Sequence, residues 1–132
     1  MEQVREGQPP PAPAGVIPDT FIAVLRHQWV PNMPAPLRRC RFVAALYAAH
    51  RLADPSGALR DSGGRPVPVG AIAYASATSE TTATRYLAAA IAAGVLTERR
   101  PGLFALAPGA VPDWQAAAAV IDHHRIPAGS SA

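Results

Sequence analysis

The sequence predicts a mainly helical domain closed by one small β-hairpin. Three observations carry that prediction. Residues 79–94 open on Ser79 and end at Gly94, as a helix with both ends capped does. Residues 95–106 hold two short apolar runs joined through Arg99-Arg100-Pro101-Gly102, and a Pro–Gly pair is a turn signal. A short apolar helix over residues 69–75 precedes both, separated from the first by Ser76-Ala77-Thr78. Helix, turn, helix, hairpin is the order of a winged helix-turn-helix, in which one helix positions a second, exposed helix and the hairpin is the wing.

At 132 residues the chain is expected to form a single domain. Residues 1–17 contain Pro9, Pro10 and Pro11, which suit neither a helix interior nor a central strand, so they read as a disordered arm. The domain then spans residues 18–126, and residues 127–132 read as a disordered tail. The formal charge of +3 comes from twelve Arg and no Lys against nine acids, which permits a nucleic-acid partner without demanding one. Six of those Arg fall between Arg38 and Arg65, alongside only Asp54 and Asp61, so positive charge concentrates just before the helix–turn–helix stretch.

The first helix is expected from Asp19 or Thr20, with Phe21, Val24, Leu25 and Trp29 on one stripe, and to stop near Val30 because Pro31 restricts the residue before it. A second helix is expected from Pro36 or Leu37 to Ala53. Its apolar side is Phe42, Val43, Leu46, Leu52 and Ala53, with Tyr47 at the edge; Arg38, Arg41, Ala45 and Ala48 form a more polar side. Asp54-Pro55-Ser56-Gly57 stops it, and a polar, mobile connector follows to Gly64. Arg65–Pro68 reads as a short edge strand. The third helix is anchored by Ile72 and Tyr74. In the fourth, Leu87, Ala90 and Ile91 face one way and Thr81, Thr82, Arg85 and Ala89 another, while Glu80 occupies the first turn, where a helix end favours an anion. A last helix over 112–122 carries Trp114, Ala117, Ala118 and Ile121 on one stripe, closed by His123, His124 and Arg125. Leu87, Ile91, Phe104 and Trp114 are predicted core residues.

Ser79, Thr81, Thr82, Leu87, Gly94, Val95 and Leu96, preceded by Ile72-Ala73 and followed by Arg99, Arg100, Gly102, Leu103 and Phe104, keep the frame of a known group. This quarter of the chain resembles bacterial winged-helix transcription regulators of the GntR- and MarR-like kind. The resemblance implies a sequence-specific DNA-binding protein that regulates transcription by occupying an operator. Two positions depart from the pattern: Glu80 stands where a basic or polar residue is usual, and the middle of the helix is rich in Ala where relatives carry Arg.

On that reading the exposed helix enters the major groove by its N-terminus. Thr81, Thr82 and Arg85 are the candidates for base or phosphate contacts, since threonine can bond a base or meet a thymine methyl and arginine can grip guanine O6 and N7. Ser79 would fix a phosphate with the first amides of the helix, or act as a plain N-cap. Arg99 and Arg100 would reach phosphates or the minor groove from the wing, and Arg38 and Arg41, with Arg39, would touch the backbone from the side. The partner is double-stranded DNA, and a homodimer would set two such helices roughly 34 Å apart on a palindromic site. The alternatives are a winged helix that binds protein, through the arm or the flanking helices, and an accessory DNA-binding protein of plasmid or phage replication or partition.

Other chemistries find little support. Cys40 is alone, which fits a reducing compartment, and no secretion signal or membrane-length apolar run is visible, so a cytoplasmic location is the default. Adjacent His123 and His124 diverge on a helix and have no ligand set around them, so no metal site is assigned. Ser56 and Ser76 lack an elbow signature, and Gly63-Gly64 lacks the Lys and the frame of a phosphate loop. No catalytic residues, cofactor or effector are expected.

Overall fold

A computed structural model describes residues 16–130, with side chains described from 17 to 122. The expected arm, apart from residues 16 and 17, lies outside the described residues. So do residues 131 and 132 of the expected tail and the side chains of His123, His124 and Arg125. The protein is mainly helical, with one two-stranded antiparallel hairpin.

The chain enters through α1 (Val16–Val24), runs through a π-helical stretch (Leu25–Trp29) and leaves by α2 (Val30–Asn32). The helix therefore passes the position where Pro31 was expected to stop it. Val30 is helical at φ −61°, ψ −45°, and its N–H reaches back five residues to the Leu25 carbonyl. This widened turn lies just ahead of Pro31, whose ring and missing N–H an ordinary α turn fits poorly. Met33 then turns extended, at ψ 137°.

The expected second helix is two: α3 (Ala35–Arg39) and α4 (Phe42–Leu52). Cys40 is extended between them, and the break has a tertiary cause. The Arg41 N–H donates to the Tyr86 hydroxyl at 3.2 Å, and Arg41 Nε donates to the Ser76 carbonyl at 2.8 Å. Both partners lie on later helices, and an unbroken helix has no way to offer its main chain to Tyr86. Ala45 and Ala48, assigned to the polar side, are buried with Phe42 and Leu46, because small side chains let neighbouring helices approach closely there.

The connector after α4 is built rather than loose. Asp54 Oδ1 accepts from the Ser56 and Ala58 N–H groups and from the Ser56 hydroxyl. Those bonds, helped by Arg60, hold its carboxyl below the ordinary carboxylate range, against the opposing effect of its burial. Gly57, Ala58 and Leu59 are buried. Gly57 sits at φ +89°, and a Cβ there would run into the Ile17 side chain, so only glycine fits beneath α1. The expected edge strand at 65–68 is reduced to a single bridge between Pro66 and Arg60.

α5 (Val69–Ser76), α6 (Glu80–Ala93), β1 (Leu96–Arg100), β2 (Leu103–Leu106) and α7 (Trp114–Ser130) complete the chain. β1 and β2 pair antiparallel with Leu96 opposite Leu106 and Arg100 opposite Leu103, and the register shifts between Glu98 and Arg100. On the other edge of β2, Leu59 N–H donates to the Phe104 carbonyl and Leu106 N–H to the Gly57 carbonyl, both at 2.8 Å. The hairpin is thereby tied to the stretch ahead of α5. α7 runs past the expected end at Asp122.

The core is a seam of aromatic and small residues. Phe21, Trp29, Trp114, Phe42 and Tyr86 form an edge-to-face chain with ring centres 5.3–6.2 Å apart, linking the first helix, α4, α6 and α7. Ala89, Ala90 and Ala93 of α6 and Ala117 of α7 are buried in the same core, and the two helices pack against each other. Ala89 was placed on the outer face by sequence; it lies inside. Of the predicted core, Leu87 is buried, while Ile91, Phe104 and Trp114 are half-buried at its margin. Tyr74, expected to anchor α5, is 90% exposed, and Ile72 anchors the helix with the smaller Ala73 and Ser76.

Candidate nucleic-acid interface

The junction between α5 and α6 is set by main-chain bonding. α5 ends with Ala77 left-handed at φ 58°, while Thr78 N–H reaches the Ala73 carbonyl at 2.9 Å and Ala77 N–H the Tyr74 carbonyl at 3.2 Å. This crossed pair terminates a helix cleanly, and here a non-glycine residue carries it at a cost of roughly 1 kcal/mol. Side chains support the turn: the buried Ser76 hydroxyl donates to the Ile72 carbonyl at 2.7 Å, and Ser76 and Thr78 hydroxyls lie 3.2 Å apart. Arg41 closes the Ser76 carbonyl, and Arg51 Nη2 approaches the Ala75 carbonyl at 3.4 Å, so two cations meet the negative end of α5.

α6 opens on Ser79, whose hydroxyl accepts from Thr82 N–H at 3.1 Å and donates to the Thr82 hydroxyl at 3.0 Å. The expected N-cap is therefore in place, and Thr82, half-buried, is part of it. Glu80 bends away over α5: its carboxylate would lie 3.0 Å from a Cβ at Gly70, beside the first turn of that helix. There the anion meets the positive end of α5, which moderates the repulsion of phosphates that its sequence position suggests.

The outer face of α6 is Thr81, Thr84, Arg85 and Ala88, which together line one groove of about 300 Å³. Thr81, Thr84 and Ala88 are exposed and Arg85 is half-buried. Thr84 was not singled out from sequence. Its spacing three residues beyond Thr81 was the available signal, and its hydroxyl donates to the Glu80 carbonyl at 2.8 Å. A second groove, of about 220 Å³, lies between α6 and the hairpin, with Thr84 and Ala88 on one wall and Glu98 and Phe104 on the other. The α6 face thus continues to the base of the hairpin.

On the hairpin, Arg99 and Arg100 are exposed, and Arg99 occupies the irregular position of β1. Neither side chain has a hydrogen bond or ion pair among the described residues. Glu98 Oε2 accepts from Gly102 N–H at 2.9 Å and braces the tip, where Gly102 takes φ 84°. Arg38 and Arg41 are exposed but committed: Arg38 Nε donates to the Met33 carbonyl at 2.9 Å, and Arg41 holds the α5 terminus. The structure therefore groups Thr81, Arg85 and the missed Thr84, leaves Arg99 and Arg100 free beyond the adjoining groove, and gives Ser79, Thr82, Arg38 and Arg41 structural bonds.

Among the described residues, no group of three or more His, Cys, Asp or Glu could hold a metal, and no helix is long and apolar enough to cross a membrane. No protein-family model, curated protein or solved structure matches the chain.

Proposed function

We propose that this chain is a winged helix-turn-helix protein that binds double-stranded DNA sequence-specifically and regulates transcription by occupying its operator. The observation that carries this reading is the continuous surface from α6 to the hairpin. Hydroxyls and one guanidinium lie on the outer face of α6, and two uncommitted arginines project beyond the groove beside it. In this arrangement α6 enters the major groove, where Thr81, Thr84 and Arg85 meet base edges, and Arg99 and Arg100 neutralise phosphates. The pairing of β2 on both edges supports the wing, since it fixes the hairpin to the segment preceding α5. Two copies would present α6 twice along one face of the duplex.

Selection of genomic fragments by the purified protein, followed by binding measured across salt concentrations, tests the reading. Recovery of a few sites that persist as salt rises is expected. Replacing Arg99 and Arg100 with Ala should weaken binding to all fragments and flatten the salt dependence by up to about two units of slope. Replacing Arg85 should instead change preference among sites. Recovery of no DNA, or an unchanged salt slope in the double variant, sinks the assignment. A protein partner is the second reading, favoured by the groove of Val69, Leu87, Ala88, Ile91 and Phe104, which is apolar along most of its wall.

A further inference from the structure

β2 has a neighbour on each edge, and both neighbours turn at the same end. Leu106 N–H bonds the Gly57 carbonyl, Leu59 N–H bonds the Phe104 carbonyl, and Ala58 lies opposite Ala105. Residues 57–60 therefore run antiparallel to β2 and toward the hairpin tip. Arg60 then pairs with Pro66, and Val67 N–H bonds the Leu59 carbonyl, so the chain turns over residues 61–65 and comes back. This turn lies alongside Pro101-Gly102, which sets two tips at one end of the paired strands.

The second tip is braced as the wing is. Asp61 Oδ1 accepts from the Gly63 N–H at 2.8 Å and the Arg65 N–H at 3.0 Å, and Gly64 N–H reaches the Asp61 carbonyl at 2.9 Å. On the wing, Glu98 accepts from Gly102 N–H. Each tip thus turns its one carboxylate onto its own main chain. Against Asp61 and Glu98, residues 60–65 and 98–102 carry Arg60, Arg65, Arg99 and Arg100, so the two tips together are net positive. The four arginines differ in their freedom. Arg60 is half-buried, its Nε is shielded from solvent, and its charge acts on Asp54, which makes it part of the connector. Arg65 is exposed, and its side chain, like those of Arg99 and Arg100, has no hydrogen bond or ion pair among the described residues.

We propose that Arg65 is a phosphate contact of the DNA interface, and that the 61–65 turn is a second tip beside the wing. Charge and continuity both select the duplex backbone as its partner, since the tips adjoin and the unpaired cation is at the surface. A single guanidinium on a short turn grips a phosphate without reading a base, so it positions the protein and adds no sequence preference. Three strand spacings, about 14 Å, separate the returning chain at residues 65–67 from β1. Arg65 therefore meets a different phosphate from Arg99 and Arg100. This assignment rests on the DNA-binding function proposed above.

Anisotropy titration of a fluorescein-labelled, mixed-sequence duplex of about 30 base pairs with the full chain, across salt concentrations, tests it. Arg65→Ala should weaken binding about three- to tenfold near physiological salt and flatten the salt dependence by about one unit of slope. Arg65→Lys, which keeps the charge, should restore most of that slope. Added to the Arg99→Ala, Arg100→Ala double variant, Arg65→Ala should remove the same further unit, because contacts this far apart act independently. Wild-type affinity and slope in Arg65→Ala, with the wing variant weakened, overturns the second tip and leaves DNA binding standing. Equal losses in Arg65→Lys and Arg65→Ala overturn the charge contact. A loss from Arg65→Ala that vanishes once the wing arginines are gone overturns the separate phosphate. A chain that binds no duplex overturns the function proposed above, and the second tip with it.

Discussion

Arg38 and Arg41, around the α3–α4 break, each donate to a main-chain carbonyl, whereas Arg99 and Arg100, on the hairpin, have no hydrogen bond or ion pair among the described residues. In sequence the two groups look alike, and all four residues are exposed. What separates them is the presence of an unmet carbonyl within reach. Met33 ends one helical run and Ser76 another, so their carbonyls lack a further helical turn to bond them. On the hairpin the side-chain bond at the tip goes the other way, from Gly102 N–H to the Glu98 carboxylate, and no carbonyl among the described residues accepts from Arg99 or Arg100. Exposure measures whether a cation can reach a partner; the local bonding decides whether it is free to.

The largest expected effect sets a scale for this contrast. Leu87 is 4% exposed on the inner side of α6, the helix both arginine groups flank. Leu87→Ala should cost about 2–5 kcal/mol through lost packing and the void left behind. Urea unfolding that shows under about 1 kcal/mol would mean that α6 is turned about its axis. The roles of Thr81, Thr84 and Arg85 would then have to be reassigned.

Arg41→Ala comes next. It removes a charged hydrogen bond from the C-terminus of α5, worth about 1–2 kcal/mol after allowance for exposure. Arg99→Ala and Arg100→Ala should each move stability by no more than about 0.5 kcal/mol, as surface substitutions without partners do. The contrast breaks if a hairpin arginine proves as costly to unfolding as Arg41.

What could be read from sequence follows the same division between local and distant causes. Ser79 and Gly94 declare the ends of α6 because a cap is made by the residues beside it, and Pro101-Gly102 marks the hairpin turn for the same reason. The break at Cys40 could not be read, since the groups that hold it lie 35 and 45 positions away at Ser76 and Tyr86. Nor could the segment at 57–60, whose polar neighbours suggest a loop but whose main chain pairs with β2. On the outer face of α6, Thr81 and Arg85 follow from helical spacing alone. The commitment of Thr82 to the cap and the burial of Ala89 against neighbouring helices do not.

The smallest effect concerns a further cation, on the helix that follows the α3–α4 break. His50, half-buried on α4, has its pKa lowered from 6.5, first by burial and then by Arg26 and Arg51, with Asp19 opposing them. The folded protein therefore binds this proton less readily than the unfolded chain. Stability from the neutral imidazole is fully present above pH 6.5 and falls as pH drops from there to the lowered folded value, below which the loss is complete. His50→Gln should flatten stability over that window, measured by urea unfolding at a series of pH values. Asp19→Asn, which removes the one opposing charge, should carry the loss to lower pH. If the His50→Gln curve keeps the wild-type slope, burial and the charges of Arg26 and Arg51 do not resist a proton at this end of α4. The distinction between occupied and free cations would then hold for hydrogen bonding but not for electrostatics.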